Sequence, residues 1–160
     1  MIRKACAGEV DAVRNIVLSA YERYAAVIGR PPAPMLDDYA VRIAAGQVWV
    51  LDDAGEMAGV LVMEDGPTAF LLDNIAVLPG RQGHGLGRLL LDFAEAEAAR
   101  CGWDTVTLYT NSMMVRNIAI YAARGYVETE RRSENGFDRV YMQKRLQHSS
   151  TAQRRTNLPE

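Results

Sequence analysis

The chain has 160 residues, 49% of them apolar, which is enough for one domain with a buried core and excludes a wholly disordered chain. Its 18 Lys and Arg against 20 Asp and Glu give a net charge of -2, so no overall positive field attracts nucleic acid or an anionic membrane. No apolar run approaches the roughly 20 residues that span a bilayer, and the first residues lack an apolar signal segment. We therefore expect a cytoplasmic protein that binds neither nucleic acid nor membrane.

The two cysteines give no sign of a metal site. Cys6 and Cys101 lie far apart in the chain, without a CxxC spacing and without a histidine nearby in sequence. In the cytosol such thiols stay reduced. We expect both to be buried structural residues, and we expect the protein to use no metal.

Apolar periodicity along the chain alternates between that of helices and that of strands. Apolar residues at i, i+3, i+4 and i+7 predict amphipathic helices, which glycines bring to an end. Runs rich in β-branched and aromatic residues, separated by short turns, predict strands, and the first three long runs predict an antiparallel meander. In chain order the predicted elements are a weak strand at 2–5, helices at 9–27 and 37–45, strands at 48–51, 57–63 and 70–77, a helix at 85–100, a strand at 105–110, a helix at 114–124 and a hairpin of strands at 126–131 and 139–145.

This order predicts a mixed α/β domain rather than a regular βαβ array. The composition shifts only once, at residue 147, where the sequence becomes QHSSTAQRRTNLPE and loses its periodic apolar positions. We expect a folded domain over 1–146 and a disordered polar tail over 147–160.

A glycine-rich loop connects the strand at 70–77 to the helix at 85–100. Gly83, Gly85 and Gly87 let the backbone approach a ligand closely, and the N–H groups at the start of the helix attract phosphate. The loop therefore predicts a pyrophosphate site.

Two nucleotide motifs are tested against this loop and do not fit. A P-loop ends in Gly-Lys-Ser/Thr, whereas the chain has Gly87-Arg88-Leu89. A dinucleotide fingerprint needs a third glycine, where the chain has Arg88 or Leu90. The sequence of the loop therefore supports neither ATP hydrolysis nor hydride transfer.

Two segments resemble motifs of the Gcn5-related N-acetyltransferase (GNAT) family. QGHGLG at 82–87 matches the family's Gln/Arg-x-x-Gly-x-Gly/Ala acetyl-CoA motif and follows AVLP at 76–79. NIAIYAARGY at 117–126 resembles the family's later segment of Asn, Leu/Ile-Tyr and Gly-Phe/Tyr. The resemblance covers about residues 46–146. It implies a mixed, mostly antiparallel sheet of about seven strands flanked by about four helices, with acetyl-CoA as co-substrate.

The resemblance also implies how acetyl-CoA is held. Backbone N–H groups of 82–87 would bind its pyrophosphate, and its pantetheine arm would lie along 75–77 like an extra strand. Many members carry Asn seven residues before the tyrosine, where this chain has Met114, so two asparagines remain candidates. The expected cofactor-binding residues are Ile75, Ala76, Val77, Gln82, Gly83, His84, Gly85, Leu86, Gly87, Arg88, Asn111, Asn117 and Tyr121. Arg81 also flanks the loop, although solvated roles are commoner for such arginines and for His84.

Transfer of an acetyl group to an amine requires two proton movements. An amine with a pKa of about 10, like lysine, must lose a proton before it attacks, and a thiolate with a pKa of about 8.5, like cysteine, leaves more easily when it gains one. By resemblance, Tyr121 is the acid, since it matches the position of the family's catalytic tyrosine. The alternative, from spacing alone, is a core aromatic residue on an amphipathic helix.

Asp73 is the candidate base. It interrupts FLLDNIAV at 70–77, which otherwise reads as a strand buried on both faces, and a carboxylate there must be paired, hydrated or functional. Strand alternation places it on the face of Ile75 and Val77. Members of the family often carry an acidic residue on this strand that deprotonates the amine, frequently through water. The alternative role is to anchor a neighbouring backbone or the positive charge of the substrate.

Aromatic residues near the N-terminal helices are candidates for the acceptor side. Their faces can hold an ammonium group, although an aromatic stripe at helical spacing is more often core. The candidate substrate residues are Tyr21, Tyr24, Met35 and Tyr39, and further candidates for the cleft are Asn111, Arg139 and Tyr141.

The resulting hypothesis is an acetyl-CoA-dependent N-acetyltransferase in which the acceptor amine attacks the thioester directly. No covalent intermediate on the protein is expected, because neither cysteine has an evident activating base. The acceptor is left open as a small-molecule, peptide or protein amine, and a homodimer is possible. The alternatives are a non-catalytic acyl-CoA-binding sensor domain and an interaction module that uses the basic tail.

Overall fold

The structure, a computed structural model, describes residues 1–147, so the predicted tail, apart from Gln147, lies outside the described residues. Every element predicted from the sequence is present, and the final hairpin turns at Asn135 and Gly136. The described residues form β1 (Ile2–Lys4), α1 (Val10–Ile28), α2 (Tyr39–Ala44), β2 (Val48–Asp53), β3 (Glu56–Asp65), β4 (Phe70–Val77), α3 (Leu86–Arg100), β5 (Thr105–Asn111), α4 (Val115–Ala123), β6 (Val127–Glu134) and β7 (Phe137–Arg145).

The strands form one sheet of seven in the order β1-β2-β3-β4-β5-β7-β6. Only β4 and β5 are parallel, joined by α3, and every other neighbouring pair is antiparallel. The prediction of a mixed, mostly antiparallel sheet with four helices is confirmed. β4 pairs with β5 only from Phe70 to Leu72, so the sheet opens between the carboxyl ends of these two strands.

The helices cover the two faces of the sheet and bury a hydrophobic cluster on each. On one face α3 packs against β2 to β5 and β7, and on the other α1 and α2 pack against β2, β3 and β4. Burial of these apolar side chains is the main force that holds the helices in place. The helix residues buried in the clusters are Leu86, Leu90, Leu91, Ala94 and Ala98 on the α3 face and Val13, Ile16, Val17, Ala20, Tyr39 and Ile43 on the other. None of the helices formed by residues 1–147 is long and apolar enough to cross a bilayer.

The prediction that both cysteines are buried is wrong. Cys6 and Cys101 are exposed free thiols. Cys101 follows the last residue of α3, and the chain then turns through Gly102, whose φ is +88°. The helical angle that predicted its burial therefore no longer decides where its side chain points. Cys6 precedes a short 3-10 turn, where its N–H donates to the Glu9 carboxylate at 2.8 Å.

β4 contains one extra residue, at Asp73. Val62 of β3 lies opposite Asn74, but the next residue of β3, Met63, lies opposite Leu72. The register shift is a β-bulge, and a bulge breaks the alternation of side chains along a strand. It occurs directly after Leu72, where the pairing of β4 with β5 also ends.

The bulge corrects the predicted face of Asp73. Ile75 and Val77 pack against the cluster under α3, whereas Asp73 contacts Arg42 of α2 on the opposite face. Alternate residues of β4, from Leu71 to Val77, are also only half-buried. The expectations that Asp73 shares a face with Ile75 and Val77, and that the whole strand is buried, are therefore wrong.

Candidate active site

Two cavities meet where β4 and β5 diverge. The larger, which we call the groove, has a volume of about 550 Å³ and lies between the glycine loop, the last residues of β4, α1 and α4. The smaller, which we call the cleft, has a volume of about 60 Å³ and lies between the α1–α2 connection, β4, β5 and β7. Tyr21, Ile75, Asn117 and Tyr121 line both. A molecule in the groove and another in the cleft would therefore meet at these four residues.

The glycine loop leaves space on the groove side. Gly83 and Gly85 have φ values of +83° and +81°, a conformation that other residues rarely adopt. A Cβ atom at Gly83, Gly85 or Gly87 would meet no atom within 4 Å. The backbone is thus open for a ligand to approach closely.

The same loop presents unpaired donors. Within residues 1–147, the N–H groups of Gly83, His84 and Gly85 donate no hydrogen bond, and those of 86–88 begin α3, where no preceding turn accepts them. Together with the partial positive charge of the helix start, they suit a phosphate group. The loop therefore has the chemistry of a pyrophosphate site.

Side chains beside the loop hold it in place. Gln82 Nε2 donates to the Val77 carbonyl at 3.1 Å, and its Oε1 accepts from Arg23 at 3.1 Å. Arg81 pairs with Asp53 and Glu56, so its charge is already balanced. Of the other candidates beside the loop, Arg88 lines the groove, whereas His84 is exposed and does not.

The edge of β4 forms one wall of the groove. Ile75, Ala76 and Val77 line it, and within the described chain no strand pairs with this edge after Leu72. The Ile75 carbonyl accepts a hydrogen bond from Tyr21 at 3.2 Å. The edge is thus open to polar partners, as a ligand that binds like an extra strand requires.

Tyr121 projects from α4 to the junction of groove and cleft. Its ring packs edge-on against Tyr126 at 5.8 Å, and its hydroxyl has no hydrogen-bond partner among residues 1–147. Burial raises the pKa of Tyr121 to about 12. The hydroxyl is therefore protonated at neutral pH and free to donate.

Asp73 lines the cleft with both carboxylate oxygens already engaged. Oδ1 accepts from the Tyr109 hydroxyl at 3.1 Å, and Oδ2 accepts from Arg42 Nη2 at 3.3 Å. Only 10% of the side chain is exposed. Burial raises the pKa of Asp73 above its ordinary value, and the Arg42 charge and the Tyr109 hydrogen bond oppose that rise. Since a carboxylate has about four lone-pair sites, it can still accept a proton or bind an ammonium group.

A comparison with protein families matches residues 44–128, more than half of the chain, to the acetyltransferase (GNAT) domain. The chain belongs to the GNAT family. As a member of this family it is an N-acetyltransferase, and the resemblance seen in the sequence is confirmed. A comparison with curated protein sequences gives no match.

Solved GNAT structures share the fold over nearly the whole chain. The PaiA N-acetyltransferase of Thermoplasma acidophilum, in complex with coenzyme A, aligns with a TM-score of 0.77 at 14% identity, covering 91% of this chain and 98% of that one. The ribosomal-protein-S18-alanine N-acetyltransferase of Escherichia coli aligns with a TM-score of 0.72 at 23% identity, covering 94% and 96%. The IAA acetyltransferase of Bacillus cereus aligns at 0.68 and 22% identity, covering 91% and 99%. At these identities the likeness shows the fold.

The two candidate asparagines of this GNAT domain lie in different places. Asn117 lines both the groove and the cleft. Asn111 lines only the cleft, and its Oδ1 accepts from the Met113 N–H at 2.9 Å. Position therefore favours Asn117 as the asparagine that meets a ligand in the groove.

Of the four candidate substrate residues, only Tyr21 lines the cleft. Tyr24 lines the groove, and Met35 lines neither cavity. Tyr39 is a core residue with 1% exposure, and its hydroxyl accepts from the buried Asn74 side chain at 3.3 Å. Asn74 in turn accepts from Tyr21 at 2.6 Å, so this network orients Tyr21 at the junction.

The two further candidates on β7 also differ in whether they line the cleft. Arg139 lines the cleft. Tyr141 does not line it, and its hydroxyl donates to Glu134 at 2.7 Å.

Sequence reasoning did not assign a role to the two residues that hold Asp73. Arg42 also pairs with Asp37 at 3.0 Å and Glu64 at 3.2 Å, so one guanidinium balances three carboxylates. Strand alternation places Tyr109 on the same face as Asn111, a signal that could have found it. Arg42 has no such signal, since only the packing of α2 brings it to the site. Within residues 1–147, no group of three or more His, Cys, Asp or Glu is placed to hold a metal ion.

Proposed function

We propose that the protein transfers an acetyl group from acetyl-CoA to a primary amine, and that the amine attacks the thioester directly. The observation that carries this proposal is the meeting of the groove and the cleft at Ile75 and Tyr121. The groove ends at a loop suited to pyrophosphate, and the cleft holds a carboxylate suited to an amine. Two substrates bound in this way would place an amine beside a thioester.

The residues of the groove fit the parts of acetyl-CoA. The free N–H groups of 83–88 would bind the pyrophosphate oxygens, with Arg88 adding positive charge. The open edge of β4 at 75–77 would bind the amide groups of the pantetheine arm. Bound there, acetyl-CoA supplies an activated acetyl group, and Asn117 lies where it would contact the same arm.

Asp73 would act on the acceptor amine. A carboxylate that is 90% covered attracts an ammonium group strongly, and its raised pKa makes it a better proton acceptor than an exposed aspartate. Asp73 would take the proton directly or through one water molecule. The neutral amine can then attack the carbonyl carbon.

Tyr121 would stabilise the departing thiolate. Its pKa of about 12 is above the value of about 8.5 expected for a thiol, so its hydroxyl acts first as a hydrogen-bond donor to the sulfur as the C–S bond breaks. The acceptor enters as an ammonium ion and loses two protons. The first passes through Asp73 to solvent, and the second, lost after the attack, neutralises the thiolate, so the products are the amide, coenzyme A and one proton.

The experiment that tests the proposal measures free thiol released from acetyl-CoA in the presence of a panel of amines, alongside calorimetry with coenzyme A. We expect heat of binding and thiol release above the rate without amine. Binding without thiol release for any amine would favour a non-catalytic acyl-CoA sensor. Absence of binding would contradict the site itself.

A further inference from the structure

The cleft holds charges of both signs on strands that β5 separates. Asp73 lies on β4, two residues before Ile75 at the junction, and Arg139 lies on β7. Two strand spacings, roughly 10 Å, separate these strands. Tyr109 of β5 lies between the charges, with its hydroxyl on Asp73 and its ring 4.6 Å from the Arg139 guanidinium carbon.

Arg139 has hydrogen-bonding capacity that the protein does not use. Its side chain is only 14% exposed, and it donates one hydrogen bond, at 2.7 Å, to Glu134. Among the described residues its other N–H groups donate none, whereas a guanidinium has five. An N–H group that is largely buried and has no acceptor is energetically unfavourable, so a ligand with acceptor oxygens would bind there favourably.

Positive charge is in slight excess on this side of the cleft. Glu134 pairs with both Arg139 and Arg132, and Arg132 also pairs with Glu130 at 3.7 Å. Arg30 stacks on the ring of Phe137, which lines the cleft, at 3.9 Å and has no carboxylate partner within the described chain. An anion is therefore favoured beside Arg139, as an ammonium group is favoured beside Asp73.

We infer that the acceptor is a small amino acid, whose ammonium group binds at Asp73 and whose carboxylate binds at Arg139. This inference rests on the proposed acetyl transfer and names its acceptor class. The planar guanidinium matches a carboxylate with two parallel hydrogen bonds. The cleft has a volume of only about 60 Å³, which suits a small molecule better than a polypeptide.

The test compares matched acceptors that differ only at the carboxylate. Thiol release is measured with α- and ω-amino acids and with the carboxamide of each. For the best pair we expect the amino acid to have a kcat/KM about tenfold or more above that of its amide, as loss of a charge-assisted bond predicts.

Arg139→Gln should bring the ratio of the two kcat/KM values towards one, chiefly through the KM of the amino acid. Arg132→Gln is the matched control, because Arg132 pairs with the same Glu134 but does not line the cleft. It should leave the ratio unchanged. A purely structural role of Arg139 would lower both rates and leave the ratio as it was.

The possible outcomes distinguish an error in the acceptor class from an error in the proposed acetyl transfer. If no amine releases thiol, acetyl transfer itself is contradicted. If amines without a carboxylate react as well as amino acids, or if Arg139→Gln keeps the preference, only the acceptor class is wrong. Should Arg139→Gln fail to fold, Arg139→Lys, which keeps the charge but not the fork of donors, must weaken the preference, and an unchanged preference overturns the inference.

Discussion

Asp73 is held in a balance between burial and charge. Burial favours its protonated form, whereas Arg42 and the Tyr109 hydroxyl favour the carboxylate, and burial is the larger effect. The pKa of Asp73 is therefore above that of an exposed aspartate. A base must be unprotonated to act, so activity should fall as the pH falls through this raised value.

Asp73→Asn should lower kcat/KM by about a hundredfold or more, the usual contribution of a general base. The amide cannot accept the proton, and the fall of activity at low pH that Asp73 causes should disappear with it. The measurement is thiol release across pH 4 to 9, with coenzyme A calorimetry to show that the groove is intact. If the activity of the variant still falls at low pH, another group is the base.

Arg42 should act as a positioning residue that tunes Asp73. Arg42→Gln removes the positive charge that counteracts the effect of burial on the pKa of Asp73, whereas the carboxylates of Asp37 and Glu64 remain close by. The pKa of Asp73 should rise further, so the low-pH fall in activity moves to higher pH. Arg42→Lys, which keeps the charge, should move it less. An unmoved profile in Arg42→Gln would mean that Arg42 only holds α2 in place.

Tyr121→Phe should lower kcat about a hundredfold and leave the affinity for coenzyme A within about twofold, since only the donor to the sulfur is removed. The matched control is Tyr126→Phe. Tyr126 packs on Tyr121, but its buried hydroxyl has no hydrogen-bond partner in the described chain, so its removal should cost neither activity nor stability. Equal kcat values for the two variants would exclude Tyr121 as the donor.

At the scale of elements, the short connection between β4 and α3 should determine the affinity for coenzyme A. Gly85→Ala places a Cβ at φ +81°, which costs about 1 kcal/mol, and the methyl group enters the open side of the loop. We expect weaker binding of coenzyme A by calorimetry. Gly80→Ala is the control, because Gly80 lacks the positive φ and its Cβ also meets open space. Equal affinities in both variants would show that no ligand approaches Gly85.

The order of elements could be predicted from the sequence because it depends on short-range periodicity. The bulge in β4 could not, because register depends on the pairing of β4 with β3, and one extra residue reverses the face of every residue after it. The motif glycines could be proposed from the sequence because their backbone role fixes their residue type. Arg42 was not, since it reaches Asp73 across 31 residues of sequence through the packing of α2.

At the scale of the whole molecule, the described residues that form both hydrophobic clusters and both cavities all lie before 147. Of the residues that the structure describes, Leu146 is the last one packed against the core, and its N–H donates to the Asp104 carbonyl at 2.7 Å. Thr105, the first residue of β5, pairs with Arg145 of β7. The stability of the domain should therefore depend on the chain as far as Leu146 and on nothing after it.

Two truncations test this boundary. A chain ending at Gln147 should keep the melting temperature and the thiol-release rate of the full chain, because it retains every described residue of both clusters and both cavities. A chain ending at Lys144 loses the Leu146 packing and one ladder pair, roughly 2 kcal/mol, and its melting temperature should fall by about 4 °C or more. Lower stability or activity in the first chain would place the residues after 147 within the functional domain. If that chain instead lost only its binding to a partner protein, those residues would have an interaction role.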